Sequence, residues 1–288
     1  MQLRKCNSRL DRSARRLLRR SVLALLVSGG GLTFALGIEA CASDASTSGR
    51  RVSLETRVEL VPEASSFTTA AGWDVTLTKA LVATGPFYYF DGPPPLVQRA
   101  LPWLRQYALS ALGLGLAHAH PGHYQAGNAL GQMLEPWSLD LLAGPADLPP
   151  GDGVTGTYRS ARFSFAAPPE GPMAGEMQPH SAVVEGRAER AGESVRLFRA
   201  TADMSEIARS AAQGHVEGCE FYELDITGDG RVTISIDPKV WFDLADFSEL
   251  EPSADDTPVE LPADSQPKIA FTQGLAQLSA YKFSYSSP

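Results

Sequence analysis

The sequence predicts a mainly β fold, an antiparallel β-sandwich, for residues 51–288, and three observations support this class. Apolar and polar residues alternate along Val52 to Leu60 and again along Trp73 to Thr78, the pattern of strands with one buried face. Pro and Gly occur in nearly every gap between such segments. The segments are also short, which is typical of sandwiches and disfavours an alternating α/β fold. The further strands predicted are Ala80 to Ala83, Phe87 to Phe90, Trp137 to Leu142, Val154 to Phe165, Ser181 to Glu189, Ser194 to Thr201, His215 to Leu224 and Val232 to Asp237.

Two connections between these segments predict particular strand pairs. Gly85-Pro86 separates Ala80–Ala83 from Phe87–Phe90, and we expect these two strands to pair with each other. Asp229-Gly230 is a typical hairpin turn, so we expect the strands on either side of it to be hydrogen-bonded neighbours.

Two segments are predicted to be helical. Apolar residues at helical spacing predict a helix from Leu96 to Leu116, inside an insertion that spans residues 93–135. A second apolar series, from Phe271 to Phe283, predicts a short C-terminal helix that leads into a last strand. Between them, the Pro-, Asp- and Ser-rich residues 251–267 predict a mobile loop.

Residues 1–40 predict a signal peptide of the lipoprotein type, and hence a location in the cell envelope, in the periplasm or at the outer membrane. A basic head precedes an apolar stretch that Gly29-Gly30-Gly31 interrupts, which makes it a poor membrane-spanning helix. Ile38-Glu39-Ala40-Cys41 resembles a lipobox, in which the cysteine is lipidated, for example with palmitate, and residues 41–50 predict a tether. Ordinary cleavage at Ala40-Cys41-Ala42 and a twin-arginine export route stay open as alternatives.

The charge of the exported part excludes some partners. Residues 1–40 hold eight of the 25 basic and two of the 33 acidic residues, so the remainder has 17 basic and 31 acidic residues and a net charge of −14. Nucleic acid is not expected as a partner, because phosphate binding needs a basic surface. Cys6 lies in the signal peptide and Cys41 is the predicted lipidation site, so Cys219 alone remains and no internal disulfide is expected.

A histidine cluster is the strongest chemical signal in the sequence. Three of the five histidines, His118, His120 and His123, fall within six residues around a Pro-Gly turn. Imidazole is a common ligand of zinc and copper, and three such ligands leave one coordination position open. Met133 or Glu135 is the candidate for a fourth ligand, Met favouring copper(I) and Glu zinc. Solvent-exposed histidines in a polar loop are the alternative interpretation.

Two other features are expected to be mainly structural. His215 and Cys219 have the even spacing that places two strand residues on one face, but acidic neighbours disfavour Cys219 as a nucleophile, and a buried free thiol is the expected state. Phe87-Tyr88-Tyr89-Phe90 is expected to supply core and edge residues, with a ligand-facing platform as the alternative.

The lipobox-like start, Gly72-Trp73-Asp74-Val75-Thr76-Leu77, the His-rich turn and the Asp-Gly turn before Asp237-Pro238 and Trp241-Phe242 together look like uncharacterised bacterial periplasmic lipoproteins. More distantly, the chain is similar to the methanobactin-associated family of periplasmic copper-binding proteins. This resemblance implies a β-sandwich that handles copper or another transition metal near an outer-membrane receptor.

The expected function is therefore that of an exported, lipid-anchored protein that holds copper or zinc and passes it to an outer-membrane receptor or a metal transporter. A non-catalytic envelope lipoprotein that acts through protein contacts is the alternative, and a metal-dependent hydrolase is a third. The sequence contains no Gly-x-Ser-x-Gly, Walker or dinucleotide-binding motif, which lowers the expectation of an enzyme.

Overall fold

The structure is a computed structural model, and it describes residues 49–95, 126–252 and 256–288. It confirms the mainly β class. Its strands are β1 Arg51–Leu60, β2 Ser66–Thr68, β3 Asp74–Thr84, β4 Phe87–Phe90, β5 Ala129–Met133, β6 Trp137–Asp140, β7 Ala146–Val154, β8 Gly156–Ser164, β9 Ala182–Glu189, β10 Arg196–Ala202, β11 His215–Ile226, β12 Gly230–Ile236, β13 Val259–Glu260 and β14 Tyr281–Ser286.

The helices in the described ranges are few and short. They are α1 Ala174–Met177, α2 Met204–Ser210, α3 Pro238–Phe242 and α4 Gln266–Gly274, with 3₁₀ helices at Leu141–Ala143, Ala212–Gly214 and Leu278–Ala280. None of these helices has the length and apolar character needed to cross a membrane. The predicted signal peptide, the predicted lipidation site Cys41 and the predicted helix from Leu96 to Leu116 lie outside the described residues.

Eight strands close into a barrel in the order β1-β12-β14-β11-β8-β4-β5-β7, so this sheet is not an open layer of the predicted sandwich. Strand β7 completes the closure by pairing antiparallel with β1, from Arg51↔Val154 to Val58↔Ala146. The sequence pattern hid this closure because β7 contains Pro149-Pro150-Gly151, residues that favour turns over strands. Closure removes the exposed edges that an open sheet would have.

The sequence predicted antiparallel strand pairs, but the barrel also contains two parallel pairs. β1 runs parallel to β12, from Leu54↔Gly230 to Leu60↔Ile236, and β11 runs parallel to β14. The alternation along β1 is nevertheless confirmed, because Val52, Leu54, Thr56 and Val58 are buried while Ser53, Glu55 and Arg57 between them are more exposed. Alternation specifies the buried face of a strand but not the direction of its neighbour.

The remaining strands form a second sheet in the order β13-β10-β9-β3-β2, with β6 also paired to β3. The prediction that the strands before and after Gly85-Pro86 pair with each other is therefore wrong, since β3 belongs to this sheet and β4 belongs to the barrel. The chain crosses between the sheets at Gly85, whose N–H donates to the carbonyl of Ser164 at 2.7 Å. A Cβ at this position would lie 2.9 Å from the carbonyl oxygen of Phe165, so glycine permits the close crossing.

The predicted hairpin around Asp229-Gly230 is also wrong, because β14 lies between β11 and β12. β14 is antiparallel to β12, from Arg231↔Ser286 to Ile236↔Tyr281, and parallel to β11. The turn itself exists, and the Tyr285 hydroxyl lies 2.9 Å from the Asp229 carbonyl oxygen, so the C-terminal strand also holds the turn. A local turn signal cannot reveal a strand that enters from a distant part of the chain.

Aromatic side chains fill the barrel interior. Six of them are at most 2% exposed, and neighbouring ring centroids lie between 5.3 and 6.3 Å apart. Glycines in β5 and β7 leave room for these rings: a Cβ at Gly131 would lie 3.0 Å from the Tyr89 ring, and one at Gly153 would lie 2.6 Å from the Tyr158 hydroxyl. The barrel centre is thus a packed core. The six residues are Phe87, Tyr89, Tyr158, Phe163, Phe221 and Phe283.

The predicted C-terminal helix followed by a strand is confirmed, as α4 precedes the 3₁₀ helix Leu278–Ala280 and β14. The helix begins at Gln266 and ends at Gly274, earlier than the apolar spacing had indicated. Within the predicted mobile loop 251–267, β13 pairs with β10 through Phe198↔Val259 and Arg199↔Glu260. Residues 253–255 of that segment lie outside the described residues.

Candidate functional site

The insertion that carries the histidine cluster leaves the barrel at the end of β4 and returns at the start of β5. Asp91 and Asn128 join its two ends: the Asn128 backbone N–H donates to Asp91 Oδ1 at 2.7 Å, and Asn128 Nδ2 donates to Asp91 Oδ2 at 2.9 Å. In return, the Asp91 backbone N–H donates to the Asn128 carbonyl at 3.2 Å. We call this pair the Asp91–Asn128 clasp.

Two further contacts fix the base of the insertion. The Gly92 N–H donates to the carbonyl of Ala126 at 2.9 Å, and the Gly92 carbonyl accepts a hydrogen bond from the Ser160 hydroxyl of β8 at 2.7 Å. Gly127 has a φ of 79°, and a Cβ there would lie 2.1 Å from Asp91 Oδ1. The clasp therefore requires glycine at position 127. Residues 91–92 and 126–128, which flank the insertion, are thus hydrogen-bonded to each other and to β8.

The predicted metal ligands have different positions relative to the clasp. His118, His120 and His123 lie outside the described residues. Met133 is 1% exposed and packs in the hydrophobic core, opposite Phe87 across β4 and β5. Glu135 is exposed, two residues beyond the end of β5.

Met133 and Glu135 also lie away from the base of the insertion. The ladder between β4 and β5 begins beside the clasp with Phe90↔Ala129 and ends at Phe87↔Met133. At about 3.4 Å per residue, Met133 is about 14 Å along the strand from Ala129. Within residues 49–95, 126–252 and 256–288, no group of three or more His, Cys, Asp or Glu side chains could hold a metal ion.

His215 and Cys219 do not share a face, contrary to what their spacing predicts. The register between β11 and β8 shifts between Glu217 and Cys219, and Gly218 at this bulge has a φ of 79°. One extra residue in a strand reverses the side on which later side chains lie. His215 is therefore half-buried on the outer side, while Cys219 is fully buried.

The surroundings of Cys219 agree with a structural role. Its Sγ donates to the carbonyl of Val216 at 3.3 Å, and burial raises the pKa of the thiol to about 12. A neutral buried thiol is a poor nucleophile and a poor metal ligand. The pKa of His215 is lowered, first by burial and then by the nearby charge of Arg162, and its Nδ1 lies 3.0 Å from the Ser164 hydroxyl.

The residues of β4 alternate between the two sides of the barrel wall. Phe87 and Tyr89 belong to the core, whereas Tyr88 pairs across the strands with Arg162 on the outer side. The Arg162 guanidinium lies 5.6 Å from the Tyr88 ring centroid and 5.8 Å from that of Phe90, and it forms an ion pair with Glu217. Of the four aromatics Phe87 to Phe90, considered as a possible ligand-facing platform, Tyr88 is the one that the structure leaves partly accessible.

Sequence reasoning missed the clasp and the Arg162 cluster, and it extended the insertion to residue 135, although Ala129–Met133 is the barrel strand β5. The clasp had a signal, since Asp91-Gly92 and Gly127-Asn128 are both turn-forming pairs at the borders of strand candidates. No sequence signal indicated the contacts of Arg162, because Tyr88, Arg162 and Glu217 meet only when β4, β8 and β11 are aligned.

Comparisons with known protein families, with curated proteins and with solved structures found no match for this chain. Its function is therefore inferred from its own residues and their geometry.

Proposed function

We propose that this chain is an exported, lipid-anchored protein that binds copper or zinc through His118, His120 and His123 and passes the ion to a partner in the envelope. The observation that carries the proposal is the position of these residues in the sequence, inside one insertion whose two ends the Asp91–Asn128 clasp holds together. Three imidazoles within six residues supply enough nitrogen ligands for a site with one open position.

The filled barrel supports a site outside the β framework. Aromatic rings occupy the interior, and buried positions such as Leu54, Ile234 and Phe283 belong to the same core. In a scaffold of this kind, the rigid framework fixes the two ends of a loop, and the loop supplies the side chains that bind a ligand. An open coordination position would allow the ion to be exchanged with a receptor or a transporter.

The fourth ligand stays a prediction. Glu135 is the more accessible candidate, because its side chain is exposed, and a carboxylate would favour zinc. Met133 would favour copper(I), but its side chain would have to leave the core. A Glu135→Gln variant and a Met133→Leu variant therefore separate the two assignments when each is titrated with zinc and with copper(I).

Metal titration of the mature chain tests the proposal. We expect tight binding of one equivalent of zinc or copper(I) in competition with a chromophoric chelator, and at least about a 100-fold loss of affinity in the His118→Ala/His120→Ala/His123→Ala variant. His180→Ala is the matched control, since His180 pairs with Asp203 elsewhere in the molecule. Equal affinity in the triple variant and the unsubstituted chain would contradict the assignment.

The anchor has its own test. If Cys41 is lipidated, the protein should fractionate with membranes and its processed N-terminal peptide should carry acyl chains, as detected by mass spectrometry. Cys41→Ser should release it to the soluble fraction, whereas Cys219→Ser should not. Recovery of an unmodified peptide that begins after Ala42 would instead support ordinary signal cleavage.

A further inference from the structure

A cleft of about 420 Å³ lies between α3 and α4 and extends to the 3₁₀ helix before β14. The two helices approach each other closely at Gly274, where a Cβ would lie 2.4 Å from the Trp241 carbonyl oxygen. The volume falls within the range of small-molecule sites. Met133 and Glu135, the predicted metal ligands within the described residues, do not line this cleft.

The charged groups of the cleft are predominantly negative. Asp237 and Asp243 contribute two carboxylates, and Lys239 contributes one ammonium group. Asp237 is the N-cap of α3 and accepts a hydrogen bond from the Lys239 backbone N–H at 3.1 Å. Burial raises the pKa of Asp237, an effect that outweighs the lowering by that hydrogen bond and by the charges of Lys239 and Lys282. The carboxylate is therefore incompletely compensated by its own surroundings.

The other lining groups combine hydrogen-bonding capacity with an apolar wall. Gln273 and Gln277 also line the cleft and are exposed, and their side-chain amides can both donate and accept hydrogen bonds. Val240, Leu244 and Ala270 supply the apolar surface, and Leu244 is 64% exposed. An exposed leucine beside two carboxylates suits a ligand that is both cationic and partly apolar.

We propose that this cleft is a binding site for a small organic cation, an ammonium or guanidinium group carried on a short aliphatic chain. The cationic group would donate charge-assisted hydrogen bonds to Asp237 and Asp243, which are stronger than bonds between neutral groups. The methylene groups would lie against Val240 and Leu244. The net negative charge of the exported chain would further favour cations over anions.

Titration of the mature chain with 1,5-diaminopentane, followed by backbone amide NMR shifts, tests this site. We expect saturable shifts at Gln273, Gly274 and Gln277, and weaker binding as the pH is lowered and the carboxylates become protonated. Asp237→Asn and Asp243→Asn should each weaken binding about threefold, and the double variant about tenfold. Asparagine is as good an N-cap as aspartate, so Asp237→Asn should preserve α3.

Three controls make the result decisive. Glu170→Gln removes an exposed carboxylate that does not line the cleft and should leave the affinity unchanged. The neutral analogue 1-pentanol should bind more weakly than the diamine and should not respond to the Asp variants. The triple histidine variant should bind the diamine normally, so this site and the metal site can fail independently.

Three outcomes would overturn the proposal. They are unchanged diamine affinity in the double Asp variant, saturable shifts confined to residues outside the cleft, and no saturation at about 10 mM diamine.

Discussion

Asp91 fastens the base of the insertion with both of its carboxylate oxygens, although it is a half-buried surface residue. Asp91→Ala would leave the Asn128 backbone N–H and side-chain amide without this acceptor. We expect a loss of about 1 kcal/mol in the free energy of unfolding, because a hydrogen bond at a partly exposed site contributes about that much net. Urea unfolding measures it. Asp152→Ala, at an exposed position of β7, is the control, and an equal effect of both substitutions would contradict a specific role for the clasp.

The raised pKa of the Cys219 thiol predicts that the free energy of unfolding depends on pH. Its pKa rises from 9.0 to about 12 on folding because the thiol is buried, so the folded state retains the proton that the unfolded state loses. The stabilising contribution is complete below pH 9 and is lost as the pH rises from about 9 towards 12. The stability of the unsubstituted chain should therefore fall more steeply than that of Cys219→Ala, by at most about 1.4 kcal/mol per pH unit.

Urea unfolding at several pH values between 8 and about 10.5 checks this dependence. Buried tyrosines such as Tyr158, whose pKa is raised to about 12, contribute to both proteins and cancel in the difference. Parallel stability curves for the two proteins would show that Cys219 is not the group responsible.

The burial of a residue could be predicted where it depends on the local sequence pattern, but not where it depends on pairing with a distant strand. The alternation along β1 specified Val52, Leu54 and Val58 as buried, and this follows from strand geometry alone. The opposite placement of His215 and Cys219 could not be predicted, because the bulge at Gly218 depends on the register with β8. Even spacing places two side chains on the same face only where the pairing between the strands is regular.

At the scale of elements, we expect the barrel to fold without the insertion. The Gly92 N–H and the Ala126 carbonyl are hydrogen-bonded, so the chain leaves and re-enters the framework at adjacent points. Replacing residues 93–125 by Asn-Gly would convert this junction into a tight hairpin turn. We expect the shortened protein to keep its β circular-dichroism spectrum and a cooperative thermal transition.

The same deletion should abolish metal binding while leaving diamine binding intact, because the cleft between α3 and α4 uses other elements. Loss of the cooperative transition in the 93–125 deletion would show that the insertion contributes to the framework.

Two strands that the sequence failed to predict, β5 and β7, share a physical reason. They contain Gly131 and Gly153 where a strand normally has bulky residues, because the neighbouring Tyr89 and Tyr158 fill the space inside the barrel. β-propensity describes how well a side chain fits a half-buried pleated surface. It does not predict a strand where the ring of a neighbouring residue fills the space that the strand's own side chain would occupy. The clasp and the cleft escaped prediction likewise, since both join segments that are distant in sequence.

At the scale of the whole molecule, the C-terminal strand completes the barrel. β14 is the common neighbour of β11 and β12, and its residues Tyr281 and Phe283 are fully buried. Phe283 packs against Phe87 and Tyr89 of β4 and against Phe221 of β11, so three rings from two other strands depend on it. Removal of one such ring costs about 3–5 kcal/mol, and a typical domain has a total stability of about 5–15 kcal/mol.

Deletion of residues 281–288 should therefore abolish cooperative unfolding and expose apolar surface, which calorimetry and dye binding would detect. Deletion of residues 287–288 is the matched control, because these residues follow the end of β14 and should be dispensable. A cooperative transition that survives the longer deletion would mean that β11 and β12 can pair directly, as the Asp229-Gly230 turn alone would favour. The two deletions thus distinguish a barrel closed by its last strand from a fold that the local turn signals specify.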